Sequence, residues 1–516
     1  MSLRIGIDVG GTNTDAAVLD DTDTVIAETK AVTTADVTEG IINALTGVLD
    51  EGIEKAAVEH VMLGTTHCTN AVTERKGLND IAVVRVGKPA TQGVPPLYEW
   101  DGDLRAAIGD TATIVRGGHE FDGREITDLD KAAVREFLGT AGDIDGVAIT
   151  SVFSPVREEH EQRVAEIAHE LHDDITVSRS REIGSIGLLE RENATALNAA
   201  LTGVMRAATS AFRDALADHG IDARTYIGQN DGTLMDVEYA ERYPIFTVAS
   251  GPANSIRGAA YLSDITDGII VDVGGTTTDV GALSAGFPRE SAAAVEVGGV
   301  RTNFRMPDLL SIGIGGGSIV TDDEEVTVGP ESVGYRLTDE ALAFGGETLT
   351  ATDIAIAQGR AAFGTTEPAV EGALADRAED YIVSEIEYAI DRMKTGPDPV
   401  PVVIVGGGSI LLPADIEGAA GVEKPPHFEV ANAIGAAIAQ VSGDVDRVYS
   451  LDEQDREAAV EDARAAAREK AIAAGADPAT VEIVDFEEVP LAYLPGNAIR
   501  MRAKAAGDLA MEAGDA

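Results

Sequence analysis

The residues best suited to chemistry lie in an eight-residue segment that occurs twice. Residues 8–15 read DVGGTNTD and residues 272–279 read DVGGTTTD, so seven of the eight positions are identical. Glycines let a backbone approach an anion closely, and threonine hydroxyls add hydrogen-bond donors, so such a segment can hold a phosphate. The leading aspartates, Asp8 and Asp272, offer the hard oxygen ligands that Mg2+ prefers.

Apolar runs flank both copies of this segment. A strand that ends in Asp, a Gly-Gly turn and an immediate return into a second strand predict a tight β-hairpin. A P-loop and a dinucleotide fingerprint would each open a helix instead, whereas short strands are predicted after Asp15. One copy alone could be a purely structural turn. Two copies at domain-sized separation favour two facing hairpins that clamp one polyphosphate.

The length and the charge of the chain limit its class. A chain of 516 residues suits two or three domains. Acidic residues number 89 against 39 basic ones, for a formal charge of -50, and the excess is spread along the chain. This pattern predicts a solvated, self-repelling surface of the halophilic type, and it disfavours nucleic-acid binding.

The single cysteine, Cys68, excludes an internal disulfide framework and a multi-cysteine zinc site. The N-terminus enters an apolar strand at once, and no apolar run of membrane-spanning length occurs. We therefore expect a cytoplasmic protein without a membrane span. For Cys68 and its neighbour His67, a structural role is favoured over a catalytic one, because neither has a nearby nucleophile–base partner in the sequence.

Three further segments carry polar or glycine-rich signals. Thr65, Thr66 and Asn70 lie at the end of a predicted strand, where they can face a ligand, although Thr69 or Asn70 could instead cap the next helix. Four glycines between 313 and 317, including Gly315 and Gly316, indicate a backbone approach to a ligand or a sharp turn. The strand at 402–405 ends in Gly406, Gly407, Gly408 and Ser409, a loop suited to packing against a flat nucleoside.

Two segments leave their roles open. Asn193 and Thr195 are weak helix formers inside a predicted helix that runs from about residue 181 to 219. Ligand contact and helix–helix hydrogen bonding explain them equally well. Residues 116–125 are dense in charged groups and fit either an exposed hairpin with salt bridges or the rim of a substrate site.

Alternating strands and helices predict an α/β fold. We expect an N-terminal lobe at 1–180, a C-terminal lobe at 181–442 with the second hairpin and the glycine loop at 406–409, and a small α+β extension at 443–516.

Two DVGGT hairpins and a later strand with a glycine loop resemble the superfamily of actin, heat-shock chaperones and sugar kinases. GTTHCTNAVTERKG at 64–77, SGPANS at 250–255, DVGGTTTD at 272–279, IGIGGGSI at 312–319 and VIVGGGS at 403–409 look like the hydantoinase A/5-oxoprolinase family. The resemblance covers about residues 1–440. It implies a two-lobed actin-like, ribonuclease H-like ATPase fold with ATP and Mg2+ as cofactors.

The resemblance also implies a reaction and its residues. The reaction is the ATP-dependent opening of a cyclic amide, such as a hydantoin or 5-oxoproline, through phosphorylation of the amide carbonyl oxygen. The implied site residues are Asp8, Asp272 and Asp279 for catalysis, with Asp8 and Asp272 at the metal; Gly10, Gly11, Thr12, Asn13, Gly274, Gly275, Thr276 and Thr277 at the phosphates; Gly406, Gly407, Gly408 and Ser409 at the adenosine; and Thr65, Thr66, Asn70, Gly315 and Gly316 at the substrate.

A hydantoinase B-type subunit and a second copy of the chain are the candidate protein partners. Two other functions use the same clamp. One is a kinase for a small metabolite, and the other is a nucleotide-switched activator of the chaperone type. Substrate-stimulated ATP hydrolysis distinguishes among the three.

Overall fold

The computed structural model describes residues 2–10, 13–32, 37–291, 295–322, 325–452, 454–492 and 497–510. Its strands are β1 (Leu3–Val9), β2 (Asn13–Leu19), β3 (Val25–Val32), β4 (Val58–Thr65), β5 (Ile81–Lys88), β6 (Thr111–Arg116), β7 (Gly146–Ser151), β8 (Thr176–Arg179), β9 (Arg224–Gly228), β10 (Leu234–Asp236), β11 (Gly268–Val273), β12 (Thr278–Ser284), β13 (Phe287–Pro288), β14 (Val295–Val297), β15 (Val300–Thr302), β16 (Leu309–Ile312), β17 (Ser318–Asp322), β18 (Val326–Ser332), β19 (Val400–Val405), β20 (Ala419–Glu423), β21 (Val441–Ser450), β22 (Glu482–Pro490) and β23 (Ala498–Gly507).

The helices lie between these strands. They are α1 (Val37–Asp50), α2 (His67–Glu74), α3 (Gly102–Ala107), α4 (Lys131–Thr140), α5 (Glu159–Leu171), α6 (Ser180–Ile183), α7 (Leu188–His219), α8 (Val237–Arg242), α9 (Ser250–Ser263), α10 (Leu337–Glu340), α11 (Ala351–Ala357), α12 (Gly372–Met393), α13 (Ala431–Ile438) and α14 (Arg456–Ala473).

The first hairpin lies inside a nine-stranded sheet of order β22-β23-β21-β10-β9-β4-β1-β2-β3. β1, β2 and β3 run antiparallel, and β4 and β9 add to β1 in parallel. Alternate residues of β2 face opposite sides of the sheet. Ala16 and Val18 pack in the core shared with α1, whereas Ala17 and Leu19 pack against α13. Helices on both faces explain why this hairpin is apolar throughout.

The second hairpin lies in a separate sheet of order β13-β12-β11-β19-β20, with β16 also paired to β12. β11, β12 and β13 run antiparallel, and β19 and β20 add to β11 in parallel. Both sheets therefore contain the same five-strand order, with an antiparallel hairpin and third strand on one side and two parallel strands on the other. The repeat in sequence corresponds to a repeat in topology.

A third sheet of order β6-β5-β7-β8 is inserted between α2 and α7 and is entirely parallel. α4 and α5 cover one face of it, and α7 packs against β5, β7 and β8. An ion pair joins this sheet to α7: Arg85 Nε donates to Glu192 Oε2 at 2.6 Å, and Arg85 Nη2 donates to Glu192 Oε1 at 2.5 Å. Both side chains are fully buried.

The sheets do not divide at the predicted boundaries, residues 180 and 442. β9 and β10 follow residue 180 but hydrogen-bond within the first sheet, and so do β21, β22 and β23 of the C-terminal extension. α14 packs on β21 and β23. The predicted helix at 181–219 is two helices, because the segment 184–187 separates α6 from α7. Pairing between strands far apart in sequence is a tertiary interaction that local periodicity does not report.

α9 and α13 cross between the two hairpin sheets at very short range. A Cβ placed on Gly258 would lie 1.8 Å from the Ala431 carbonyl oxygen, and one on Gly435 would lie 1.9 Å from the Asn254 carbonyl oxygen. Neither position accepts a side chain without moving a helix. Among the described residues, every helix is too short or too polar to cross a membrane.

Candidate functional site

The two hairpins have the same register and the same turn hydrogen bond. Asp8 pairs with Asp15, and Asp272 pairs with Asp279. The Gly10 N–H donates to the Asn13 carbonyl at 3.0 Å, and the Gly274 N–H donates to the Thr277 carbonyl at 2.9 Å. These pairings confirm the two predicted hairpins. Gly11 and Thr12 lie outside the described residues.

The leading aspartates of the two hairpins lie close enough to influence each other. Burial raises the pKa of Asp8 to about 6, and the negative charges of Asp15 and Asp272 contribute to that shift. Burial likewise raises the pKa of Asp279 to about 6, with Asp272 adding to it. The pKa of Asp272 is raised mainly by its burial. Asn254 donates to Asp8, and the next residue, Ser255, hydrogen-bonds to Asp272, so α9 brings the two turns together at the junction of the hairpin sheets.

Two asparagines hold Asp8 in place. Asn254 Nδ2 at the start of α9 donates to Asp8 Oδ1 at 3.2 Å. Asn432 Nδ2 on α13 donates to Asp8 Oδ2 at 3.0 Å and to Asp15 Oδ2 at 2.9 Å. Gly64 at the end of β4 makes room for this arrangement, since a Cβ there would lie 2.1 Å from Asp8 Oδ1. The carboxylate position is therefore set by four separate elements.

Lys30 on β3 brings a positive charge to this cluster. Its ammonium donates to Asp15 Oδ1 at 2.7 Å. That charge opposes the upward pKa shifts that burial causes in Asp15 and in Asp272. The Lys30 side chain also lies near Gly407: a Cβ placed on that glycine would be 3.9 Å from Lys30 Cε, its nearest neighbour. Lys30 thus reaches from the first lobe toward the loop after β19.

The loop 406–409 lies beside the second turn because β19 runs parallel to β11, with Val405 opposite Asp272. Gly406 has φ +86°, and a Cβ on it would lie 2.3 Å from Asp272 Oδ1. A Cβ on Gly408 would lie 2.6 Å from the Gly274 carbonyl oxygen. Ser409 is buried. The glycines at 406 and 408 are required by close backbone packing against the turn.

The glycine segment 313–317 packs behind the same turn. The Gly316 N–H donates to the Gly274 carbonyl at 3.0 Å, and the Gly317 N–H donates to the Gly275 carbonyl at 2.7 Å. A Cβ on Gly315 would lie 2.6 Å from the Thr276 backbone nitrogen. The contacts of Gly315 and Gly316 are thus with the turn itself, and their predicted place at the substrate stays a prediction.

Thr65, Thr66 and Asn70 lie beside the first turn. Thr65 ends β4 opposite Val9, and its hydroxyl hydrogen-bonds with His67 Nδ1. The Thr66 hydroxyl donates to the Val9 carbonyl at 3.3 Å, and Asn70 Nδ2 donates to Thr66 Oγ1 at 3.4 Å. Asn70 is exposed and Thr66 immediately precedes α2. Their position next to the clamp is compatible with the predicted substrate role.

Cys68 is buried in the first core, and burial raises its thiol pKa to about 12. The thiolate is the reactive form of cysteine. We therefore expect the folded protein not to react with iodoacetamide between about pH 7 and 9, because the thiolate is absent over that range. Mass spectrometry of the alkylated protein checks this. Full labelling in urea is the positive control, and rapid native labelling would contradict the buried position.

The polar residues of α7 form structural hydrogen bonds. Asn193 Oδ1 accepts from the Trp100 indole N–H at 2.8 Å, and Asn193 Nδ2 donates to the Arg301 carbonyl at 2.9 Å. Thr195 donates to the carbonyl of Arg191 within the helix. These bonds run to a loop, to β15 and within α7 itself, so they are not helix–helix hydrogen bonds, and ligand contact by these residues stays a prediction.

Residues 116–125 contain a turn around Glu120 and Arg124, with a bridge between His119 and Glu125. His119, Glu125 and His160 each bring one potential metal-ligand atom within 4.8 Å of the others. However, the Gly118 N–H donates to His160 Nδ1 at 2.9 Å, so the proton of neutral His160 lies on Nε2. That nitrogen is 3.4 Å from Glu125 Oε1, and the pair is explained without a metal ion.

Sequence reasoning did not include Asp15, Lys30, Asn254 and Asn432 among the site residues. Asp15 matches Asp279 in the repeated segment, and that symmetry was a usable signal. Asn254 belongs to the SGPANS segment at the start of α9. Lys30 and Asn432 carry no local signal, because strand pairing and helix packing alone bring them to Asp8 and Asp15.

The fold is the two-lobed actin-like ATPase fold. It is defined by the duplicated hairpin sheets, the two turns that meet at their junction and the glycine loop beside the second turn. Comparison with known families agrees with this class. Residues 4–172 match the hydantoinase/oxoprolinase N-terminal region, and residues 191–364 match the hydantoinase/oxoprolinase domain. Together the two matches cover more than half of the chain, which therefore belongs to the hydantoinase/oxoprolinase family.

Individual relatives are distant. The chain is 26% identical over 392 residues to an uncharacterized protein of Methanocaldococcus jannaschii, covering 70% of this chain and 57% of that protein. It is 27% identical over 390 residues to caprolactamase subunit alpha of Pseudomonas jessenii, covering 70% of this chain and 55% of that subunit. The chain thus spans a little over half the length of these relatives.

A solved structure extends the likeness in fold. The crystal structure of the ATP-dependent caprolactamase from Pseudomonas jessenii superposes with a TM-score of 0.77 at 20% identity, covering 98% of this chain and 88% of that one. The coverage of this chain is broad enough to include most of the C-terminal extension, residues 443–516.

Proposed function

We propose that this chain is the ATP-dependent, phosphorylating part of an enzyme that opens a cyclic amide such as a hydantoin or 5-oxoproline. The observation that carries the proposal is the meeting of the two DVGGT hairpins, whose leading aspartates, Asp8 and Asp272, are bonded by adjacent residues of α9. Family membership and the naming of one relative as a caprolactamase subunit support the choice of a cyclic amide.

The chemistry requires activation of a poor electrophile. An amide carbonyl oxygen is a poor leaving group, so transfer of the γ-phosphoryl group of ATP to that oxygen converts it into one. Water then adds to the carbon, and the C–N bond of the ring breaks as the nitrogen takes up a proton, which leaves an acyl phosphate. A second water attacks the same carbon, and the original carbonyl oxygen leaves with inorganic phosphate. The protein positions the reactants and neutralises charge on the phosphoryl group during its transfer.

The residues at the junction fit this task. The backbone and hydroxyl groups of both turns hold the phosphates; these are Gly10, Gly11, Thr12, Asn13, Gly274, Gly275, Thr276 and Thr277. Asp8 and Asp272 orient Mg2+, and Asp279 supports Asp272 from the paired strand. Burial, with repulsion from Asp272, raises the pKa of Asp8 and of Asp279, so a divalent cation would offset an existing excess of negative charge. When bound, Mg2+ neutralises charge on the transferring group.

A partner subunit completes the proposed enzyme. The chain spans a little over half of its curated relatives, and one of them is designated subunit alpha. We propose that a hydantoinase B-type subunit carries out or assists the hydrolytic step. The acidic composition and the single buried thiol suit a cytoplasm of high salt concentration.

Oxygen isotopes test the phosphorylation step. The chain is incubated with ATP, Mg2+ and 5-oxoproline or hydantoin labelled with 18O in the ring carbonyl, with and without a B-type subunit. Phosphorylation of that oxygen delivers one 18O atom to inorganic phosphate. Unlabelled phosphate beside an opened ring whose new carboxylate has also lost the 18O rejects the step. A stable phosphorylated product indicates a kinase instead, and stimulation of ATP hydrolysis by a protein alone indicates a switch.

A substitution in the proposed adenosine loop separates nucleotide binding from folding. Gly407 has open space around it, so leucine at this position causes no clash within the protein but occupies the cleft beside Lys30. We expect Gly407→Leu to weaken ATP binding at least about tenfold by calorimetry, a loss of about 1.4 kcal/mol, with an unchanged melting temperature. Gly421→Leu, on exposed β20, is the matched control. Unchanged ATP affinity in Gly407→Leu would refute this placement.

A further inference from the structure

A cavity separate from the proposed phosphate clamp lies where several distant parts of the chain meet. Its walls come from the segment 181–185 at α6, the segment 303–305 after β15, and the start of β21 together with α14. Gln229, Asn230 and Asp231, which follow β9, form a further wall. None of the described residues of either DVGGT turn lines it. The cavity therefore requires an explanation other than nucleotide binding.

The acidic side chains of this cavity already have cationic partners. Asp231 pairs with Lys504 at 2.7 Å, and Asp444 pairs with Arg305 at 2.8 Å. Asp446 pairs with Arg500 and Arg502 of β23, and Glu182 pairs with Arg179 and Arg242. These pairs leave the carboxylates satisfied within the protein, so a cationic ligand would gain little from them.

Lys470 on α14 differs from the other charged residues of the lining. Among the described residues, its ammonium has no hydrogen bond and no carboxylate oxygen within 4.0 Å. Gly443 makes space for it, since a Cβ on Gly443 would lie 2.6 Å from Lys470 Cβ. Lys470 is half-buried; burial lowers its pKa, and the nearby Asp444 and Glu182 oppose that shift. An anion beside the ammonium would supply the direct partner that it lacks among the described residues.

The rest of the wall indicates the kind of anion. Tyr239, Phe246 and Phe304 supply aromatic surface, and the Tyr239 hydroxyl has no hydrogen-bond partner among the described residues. Glu182, Asp231, Asp444 and Asp446 surround the same space and would repel a second negative charge. An organic monoanion with an apolar body therefore fits better than a phosphate.

We propose that this cavity binds a small organic carboxylate, with its carboxylate on the Lys470 ammonium and its apolar part against the aromatic wall. The cavity has a volume of about 80 Å³. That is room for about five to eight water-sized groups at about 10–15 Å³ each. A carboxylate with about six non-hydrogen atoms, such as butyrate, matches this space. The site does not depend on the proposed amide-opening activity.

Ligand-observed NMR titration of the full chain tests the proposal without ATP. Butyrate and its isosteric amide, butyramide, are compared at equal ionic strength set with NaCl. The wild-type chain should bind butyrate at least about tenfold more tightly than butyramide, because only the anion pairs with Lys470. Inorganic phosphate should not displace butyrate. Equal affinity for the acid and the amide overturns the proposal, and displacement by phosphate overturns the assignment to a monoanion.

Variants assign the binding to this cavity. Lys470→Met keeps the length of the side chain without its charge and should bind butyrate at least about tenfold more weakly. Lys470→Arg, which keeps the charge, should retain the preference for butyrate over butyramide. Lys131→Met, at an exposed position of α4, is the matched control and should bind as the wild type does. Wild-type butyrate affinity in Lys470→Met overturns the site.

Discussion

Asp8→Asn is expected to lower ATP hydrolysis by at least about 100-fold while the protein stays folded. The substitution removes a carboxylate that we place at the metal and phosphates, but it keeps the shape of the side chain. Asn254 and Asn432 both donate to Asp8, and an asparagine at position 8 can accept from only one of them. That loss costs about 1 kcal/mol. Removing a buried charge that Asp15 and Asp272 repel offsets it.

Asp21→Asn is the control for this experiment. It removes the same charge from an exposed position just after the same hairpin, so ATP hydrolysis should stay at the wild-type rate. Phosphate release and the melting temperature are measured for both variants. Near wild-type hydrolysis in a folded Asp8→Asn protein would reject the catalytic role of Asp8, and with it the clamp as the site of phosphoryl transfer.

Glu192→Ala is expected to lower the free energy of unfolding by about 3–5 kcal/mol, because it leaves Arg85 buried without its carboxylate. The Arg85 guanidinium is fully buried, and besides Glu192 it reaches only the carbonyl groups of Val94 and Pro95 among the described residues. Two backbone carbonyls do not neutralise its charge. Thermal and urea denaturation, followed by far-ultraviolet circular dichroism, measure the loss.

Glu166→Ala provides the comparison with an exposed pair. Glu166 bonds Arg163 on the surface of α5, and both side chains are in contact with solvent. Its removal should cost less than about 1 kcal/mol. Equal stabilities for Glu192→Ala and Glu166→Ala would mean that water or a rearranged side chain compensates Arg85, and that the third sheet does not depend on this pair for its attachment to α7.

The residues of the two hairpins could be predicted from the sequence because a few neighbouring positions specify a hairpin. Asp8 and Asp272, with the glycines that follow them, appear in a strand–turn–strand pattern whose geometry a few consecutive residues dictate. The loop after β19 is equally local, since a buried strand followed by three glycines requires an abrupt backbone turn. The assignment of Cys68 to a structural role also agrees with its burial.

The partners of these residues depend on the tertiary fold. Asn432 reaches Asp8 and Asp15 because α13 packs on β1 and β2. More than 400 residues separate Asn432 from either aspartate in the sequence. The predicted boundaries at residues 180 and 442 do not divide the sheets for the same reason: β9 and β21 pair within the sheet that contains β1.

The sequence by itself determined that two matching hairpins exist and which residues begin them, because turn chemistry acts over a few neighbouring positions. Only the tertiary structure decided that these hairpins meet, which asparagines and lysine surround their carboxylates, and that a separate cavity contains the unpaired charge of Lys470. Those features arise from packing between distant segments, and no local pattern encodes them.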